Sequence, residues 1–203
     1  TVDIEASIGN ERALAVSGQE AQAFLFGDRV KKPMGLFSQA TSPNADKGRN
    51  FGEFQILTSN GANTLGTNAG ATDKLLDMIY ATNSTLRQGA GWLMNSTTVG
   101  AIRKLKDGQG NYLWQPSSQM GEPATVLGYG ITDMEIMPDI AADSIPVAFG
   151  NFKRAYMIID RIGIRTLRDP YTNKPFVGFY ATKRTGAVAL DSRAVKFLKI
   201  AAA

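Results

Sequence analysis

The 203-residue sequence contains no cysteine and no histidine. Without cysteine there can be no disulfide framework and no thiolate metal site, and the redox compartment is left open. Without histidine the chain lacks the commonest general base and the commonest metal ligand. A Ser-His-Asp triad, a Cys-His pair, a zinc site and a non-haem iron site are therefore excluded. An enzyme built on this chain would have to use carboxylates, Lys, Tyr or Ser.

Long apolar runs and long basic runs are missing as well. No stretch approaches the ~18 apolar residues of a membrane span, so we expect no membrane partner. The 22 Lys and Arg residues exceed the 18 Asp and Glu residues, which gives a net charge of +4, but they are scattered along the chain in ones and twos. Such an excess is compatible with nucleic acid and more often describes an ordinary solvated surface. The chain begins at Thr1 and enters a predicted helix at once, so we expect the later part of a longer polypeptide.

The strongest structural signal is the stretch from Arg154 to Ala189, which is rich in β-branched and aromatic residues. It is interrupted once, at residues 169–175, where two prolines bracket polar turn formers. Apolar residues alternate along both arms, so each arm can bury one face. We predict a long hairpin, which is marginal alone and needs further elements against it.

A long helix is predicted at the start of the chain, over residues 3–26. Helical spacing places one stripe toward a sheet, and its members are Leu14, Gly18, Ala21 and Leu25. Gly27 and Asp28 are predicted to provide a left-handed stop after it.

The middle of the chain predicts shorter elements. Residues 41–70 are polar and rich in Gly and Asn, and we expect a flap over a packed body with one strand at 51–57. A helix is predicted over 72–87, and a strand at 91–94 leads into a helix capped by Asn95 or Ser96. Further strands are predicted at 124–129, 131–137, 145–150 and 194–200. The fold class is therefore mixed α+β.

Candidate chemistry is sparse. Asp133 and Glu135 would share a face if they lay on one strand, and they are the nearest approach to a catalytic carboxylate pair. The run Asp107–Asn111 resembles a calcium loop but lacks the further ligands, so a tight turn is favoured. Ser96 could be proposed as a nucleophile, yet no base can be named for it, and helix capping is the better interpretation. We predict no catalytic residues, no cofactor and no metal, and the long elements favour self-assembly.

Six short motifs in order give the chain a family resemblance, although each is weak alone. It resembles the tailed-phage major capsid proteins of the HK97-fold family from the first helix onward. The motifs are Gln19–Asp28 with Lys32–Leu36, Gly91–Ser96 with Leu105–Tyr112, Leu127–Tyr129, Met137-Pro138, Phe149–Phe152, and Asp160–Ile164 continuing to Tyr171.

The resemblance implies an HK97-like capsid fold with a long spine helix, a long β-hairpin and a mixed α/β axial domain. Residues 1–32 would be the spine-helix end of a peripheral domain, 33–153 the axial domain, 154–189 the peripheral hairpin and 190–203 a strand returning to the axial domain. The family's N-terminal arm and extended loop would precede this chain.

The resemblance also implies a function: a structural major capsid subunit, of a phage or prophage, that assembles into an icosahedral head around double-stranded DNA. Its partners would be itself, in pentamers and hexamers, together with scaffold and portal proteins and non-specifically contacted DNA. It would lie in the virion, and in the host cytoplasm before assembly. The expected inter-subunit contacts at the hairpin tip are Arg165, Arg168, Asp169, Tyr171 and Lys174.

Two alternatives remain at this point. One is an encapsulin-like compartment, which shares the shell fold and encloses an enzyme instead of a genome. The other is an enzyme that uses Asp133 and Glu135.

Overall fold

The computed structural model describes residues 4–106, 112, 125–172 and 174–202. The chain forms two compact units. The first unit is Thr1–Ser38 with Tyr156–Ala189, and the second is Gln39–Ala155 with Leu190–Ala203. The chain therefore crosses between the units three times. The division into peripheral and axial domains that the resemblance implies stays a prediction.

The described helices and strands have the following bounds. The helices are α1 (Ile4–Phe26), α2 (Asn68–Ala81), α3 (Ser84–Arg87), α4 (Ser96–Arg103) and α5 (Phe152–Ala155). The strands are β1 (Thr41–Ser42), β2 (Phe54–Ala62), β3 (Gly91–Met94), β4 (Thr125–Val126), β5 (Tyr129–Asp133), β6 (Val147–Gly150), β7 (Tyr156–Asp169), β8 (Gly178–Ala189) and β9 (Val195–Ala201).

The end of α1 is packed backbone to backbone against the segment that follows it. The amide of Gly35 donates to the carbonyl of Gly27 at 2.9 Å, and the amide of Phe37 donates to that of Leu25 at 2.9 Å. A Cβ at Gly27 would lie 2.0 Å from the carbonyl oxygen of Pro33. Close approach thus requires glycine here, whereas the positive φ angles occur later, at Arg29 and Lys31. The predicted left-handed stop at Gly27-Asp28 is wrong for this reason.

The predicted apolar stripe of α1 is only partly realised. Leu25 is buried and Ala21 is half-buried, but Gly18 and Leu14 are exposed. Helical spacing placed these residues on one line correctly, yet it could not show how far along the helix the covering elements of this unit extend.

The second unit is built on a seven-stranded mixed sheet with the order β1-β2-β9-β6-β3-β5-β4. Strand β9 pairs in parallel with β2 and antiparallel with β6. Its residues from Val195 to Leu198 are all buried, because it has neighbours on both edges and is covered on both faces. A strand in that position need not alternate between apolar and polar residues.

Aromatic residues fill the core around β3 and β6. Trp92 and Phe149 are fully buried, with ring centroids 4.4 Å apart, and the edge of Tyr129 meets Phe149 at 5.0 Å. The indole nitrogen of Trp92 donates to the carbonyl of Val126 at 3.0 Å, so burial leaves this polar group satisfied. Leu75, Met78 and Ile79 of α2 pack into the same cluster.

The structure corrects three of the sequence predictions in this unit. Residues 41–70 are not a flap, because β2 is a sheet strand and α2 begins at Asn68. The helix predicted over 72–87 is broken, since Thr82 adopts an extended conformation and Asn83 caps a new helix by accepting from the amide of Thr85. The strand predicted over 131–137 ends at Asp133.

Other predictions in this unit are confirmed. Strand β3 leads into α4, and of the two candidate caps it is Asn95 that accepts from the amide of Thr98, at 2.8 Å. The closing strand and the strand near 147–150 are also present. The predicted turn at 107–111 lies outside the described residues.

Gly150 offers a test of the join between β6 and β9. Its φ is +148°, and a Cβ there would lie 2.1 Å from the carbonyl oxygen of Ala194. We expect Gly150→Ala to lower the free energy of unfolding by about 3 kcal/mol, because backbone would have to move in the middle of the sheet. The measurement is chemical denaturation of the purified chain.

Gly100→Ala is the matched control. Gly100 lies inside α4, and a Cβ there meets nothing within 4 Å. The same substitution should raise the free energy of unfolding by up to about 1 kcal/mol, because alanine is the better helix former. Equal effects at the two glycines would contradict the close approach at Gly150.

Candidate functional site

The hairpin β7–β8 is the longest exposed feature of the first unit. The hairpin predicted from the sequence is present, and its strands pair from Tyr156 opposite Ala189 to Asp169 opposite Gly178. The register shifts twice in β7, between Asp160 and Arg165, so that strand does not keep one simple alternation. On β8 the alternation holds from Gly178 to Arg184, where Phe179, Ala181 and Lys183 are half-buried and the residues between them are exposed.

One lysine links the hairpin to α1. The ammonium of Lys183 lies 2.7 Å from one carboxylate oxygen of Glu20 and 2.9 Å from the other. Asp160 on β7 lies 3.6 Å from the same nitrogen. The hydrogen bond to Glu20 is the main reason why the pKa of Lys183 is raised. These contacts connect all three long elements of the unit.

The tip of the hairpin is organised by Asp169. Its carboxylate accepts from the amides of Tyr171 and Thr172, at 2.9 and 3.2 Å, and from the Thr172 hydroxyl. This is the Asx-type turn that Asp favours. The hydroxyl of Thr172, and then the two amides, hold the pKa of Asp169 below its ordinary value. Asp169 therefore has a local structural role in addition to any contact with a partner.

The other predicted contact residues are presented outward. Arg165 lies opposite Thr182 and Arg168 opposite Phe179, both on exposed positions of β7. Tyr171 is 80% exposed, and Lys174 is exposed just before a cis peptide bond to Pro175. Asn173 lies outside the described residues. The structure thus places all five predicted residues in the turn of the hairpin or in the part of β7 next to it.

Sequence reasoning missed an apolar group beside these charges. Leu167 and Tyr180 are cross-strand neighbours and are 63% and 67% exposed, and Phe176 at the tip is 70% exposed. The alternation of aromatic and branched residues predicts a buried face on each arm. The pairing of Leu167 with Tyr180 across the two strands could have revealed this group. Predicting that pairing requires the register of the hairpin, which the sequence does not reveal. Contiguous exposed apolar patches are typical of interaction surfaces, so this group is a candidate for one.

A family model described as the phage capsid family matches residues 1–200. The chain belongs to the phage capsid family. The prediction of a capsid-family protein is confirmed, and so is the HK97-like fold. Among solved structures, the chain is 40% identical to the capsid of a native GTA particle and 40% identical to that of an empty GTA particle. The TM-scores are 0.89 and 0.88, and 98% of this chain is covered in each case.

More distant structures share the fold alone. A structure from Mycobacterium phage Adephagia matches with 14% identity and a TM-score of 0.59, over 100% of this chain and 67% of that one. The holo-SrpI encapsulin complex from Synechococcus elongatus PCC 7942 matches with 15% identity and a TM-score of 0.57, over 93% of this chain and 63% of that one. Sequence identity therefore favours the capsid prediction over the encapsulin alternative. None of the curated proteins matches this chain.

The chain spans 66% and 67% of the two GTA capsid chains. No helix in the described ranges is long and apolar enough to pass through a lipid bilayer.

The carboxylate pair weighed as an enzyme site is not a pair on one strand in this capsid-family fold. Asp133 ends β5, and Glu135 lies in the turn beyond it. Glu135 accepts a hydrogen bond from the hydroxyl of Ser96 at the start of α4. Within the described ranges, no three His, Cys, Asp or Glu side chains gather closely enough to hold a metal ion.

The tip turn predicts a titration that can be measured directly. Because the Thr172 hydroxyl stabilises the Asp169 carboxylate most, Thr172→Val should raise the pKa of Asp169 toward its ordinary value of about 3.9. In the unchanged protein the Asp169 contribution to stability is present above that value and is lost as the pH falls through the lowered pKa. NMR titration of the Tyr171 and Thr172 amides reports the midpoint.

Thr166→Val is the control for that titration, because Thr166 lies on β7 away from the turn. It should leave the midpoint unchanged. A midpoint that is the same in Thr172→Val and in the unchanged protein would show that the hydroxyl does not hold the carboxylate.

Proposed function

We propose that this chain is the shell-forming part of a major capsid protein, which assembles with copies of itself into an icosahedral head enclosing double-stranded DNA. The observation that carries the proposal is the 40% identity to the capsid of a native GTA particle over 98% of this chain. A chain that keeps this much sequence along its whole length is expected to keep the surfaces through which subunits meet.

The geometry of the hairpin supports self-association. Leu167, Tyr180 and Phe176 expose apolar surface beside the cations Arg165 and Lys174. A mixture of apolar anchors and charges is typical of protein interfaces, in which a few buried aromatic residues supply most of the binding energy. In a closed shell each modest contact is repeated by symmetry, so small changes in one contact are multiplied.

The proposal is structural, and it includes no catalytic step. It extends to pentamers and hexamers as assembly units, to scaffold and portal proteins as partners, and to non-specific contact with packaged DNA. The protein would pass from the host cytoplasm into the virion on assembly.

Charge reversal at the hairpin tip tests the polar part of this surface. We expect Arg165→Glu in the complete gene product to reduce assembled particles strongly, because a like charge directly opposite a partner group disfavours contact. Negative-stain electron microscopy and light scattering measure the assembled fraction. Arg165→Lys keeps the charge and should retain assembly. Normal particles from the Arg165→Glu variant would show that Arg165 does not lie in an interface between subunits.

Substitution of Leu167 and Tyr180 tests the apolar part of the hairpin surface. Leu167→Ser combined with Tyr180→Ser should raise the protein concentration needed for assembly by about tenfold or more, because each truncated anchor costs about 1–2 kcal/mol per contact. The monomer should remain folded, since both side chains are exposed. Thr182→Ser, at an exposed position of the same strand, is the control. If the double variant assembles at the same protein concentration as the unchanged protein, Leu167 and Tyr180 face solvent in the shell.

A further inference from the structure

The second unit contains an open pocket of about 710 Å³ that the hairpin surface does not involve. Its wall is made by the loop after β1, the start of α3, α5 and the turn before β9. The charged and polar lining residues are Asp46, Lys47, Asn83, Thr85, Lys153, Arg154, Asp191 and Arg193. Four of them are cations and two are carboxylates. We call this cavity the basic pocket.

Two further cations contact Asp46 from inside the unit. The side chain of Lys196 is 0% exposed and that of Arg49 is 2% exposed, and both form ion pairs with Asp46. The distance from Arg49 Nη2 to Asp46 Oδ1 is 2.6 Å. Arg49 Nη2 also donates to the carbonyl of Ser192 at 3.1 Å. The carboxylate of Asp46, at the edge of the pocket, thus forms ion pairs with two buried cations.

The second carboxylate of the pocket is already engaged. Arg193 donates from Nε to Asp191 Oδ1 at 3.0 Å and from Nη2 to Oδ2 at 3.1 Å. The hydrogen bond from Arg193 is the main cause that lowers the pKa of Asp191, and the charge of Arg154 adds to it. Neither lining carboxylate is therefore available to form an ion pair with Lys47, Lys153 or Arg154.

The cluster as a whole carries an excess of positive charge. Six cations lie in or behind the pocket wall, against Asp46, Asp191 and Glu53, whose charge acts on Arg49. Burial lowers the pKa of both Lys196 and Arg49 in spite of Asp46. In the described part of the chain, Nη1 of Arg49 is buried and has no hydrogen-bond partner. Buried cations without full compensation are costly, and an anion bound in the adjoining pocket would offset their positive charge without touching them, since neither Arg49 nor Lys196 lines it.

We propose that the basic pocket binds an oxyanion of the phosphate class. A multiply charged anion matches the positive excess better than a single carboxylate does. A guanidinium group such as that of Arg154 forms forked hydrogen bonds with phosphate oxygens, and Lys47 and Lys153 add positive charge beside it. The pocket is open, so it admits either a free phosphate or one phosphate of a nucleic-acid backbone. The inference rests on charge and geometry and does not depend on shell formation.

The test is isothermal titration of the purified 203-residue chain with inorganic pyrophosphate, and separately with a short double-stranded DNA. Sodium chloride at equal ionic strength is the reference. We expect saturable binding of pyrophosphate, and Lys153→Ala with Arg154→Ala should weaken it by at least about tenfold for each charged contact removed. Both side chains are exposed, so the double variant should fold.

Lys104→Ala with Lys199→Ala is the matched control, because it removes the same number of charges from positions outside the pocket. It should leave pyrophosphate affinity unchanged. The nucleic-acid backbone is the source if DNA binds, competes with pyrophosphate and shows a weaker salt dependence in the pocket variant. The slope of log affinity against log salt concentration should then fall by about one for each cation removed. Tight pyrophosphate binding with weak DNA binding supports a free phosphate.

Two outcomes would overturn the proposal. One is a pyrophosphate response no larger than that to chloride. The other is an equal loss of affinity in the pocket variant and in the Lys104 and Lys199 control, which would show that binding follows net charge alone.

Discussion

The second unit depends on strand β9, which lies inside the sheet between β2 and β6. In the described sheet, β1 and β2 are joined to β6, β3, β5 and β4 only through this strand. Its residues come from the end of the described chain, after the hairpin of the first unit. The sheet therefore cannot close until the chain has returned from the first unit. Such non-local pairing carries a large loop-closure cost and slows folding.

The same strand carries the least expected residue of the core. Lys196 lies opposite Phe149 of β6 and Gln55 of β2, on the face of β9 that also presents Leu198. Burying its charge is tolerated because Asp46 lies within ion-pair distance, and Asp46 also serves Arg49. A single carboxylate shared by two buried cations leaves the region positive, and this explains why the adjoining pocket is suited to an anion.

The two units use their side chains for different purposes. In the second unit aromatic residues such as Trp92 and Phe149 are fully buried and stabilise the sheet. In the hairpin, chemically similar residues such as Tyr180 and Phe176 remain exposed, and the turn that presents them is held by the hydrogen bonds of Asp169. Apolar surface that the chain itself leaves uncovered is suited to contact with further copies, which is how a shell protein would use it.

Local patterns determined much of this protein on their own. Periodicity and turn chemistry predict the long helix, the hairpin with its Asp-Pro tip, a helix cap at Asn95 or Ser96, and the strands near 91–94, 147–150 and 195–201. Six motifs in order were enough to predict the family. Tertiary structure alone decided the rest. Strand β2 continues past the strand predicted at 51–57, through polar residues to Ala62, because β9 provides a partner edge. Leu14 and Leu167 are exposed because covering elements do not reach them. Lys196 is buried because Asp46, 150 residues away in sequence, supplies its counter-charge, and no local pattern contains that information.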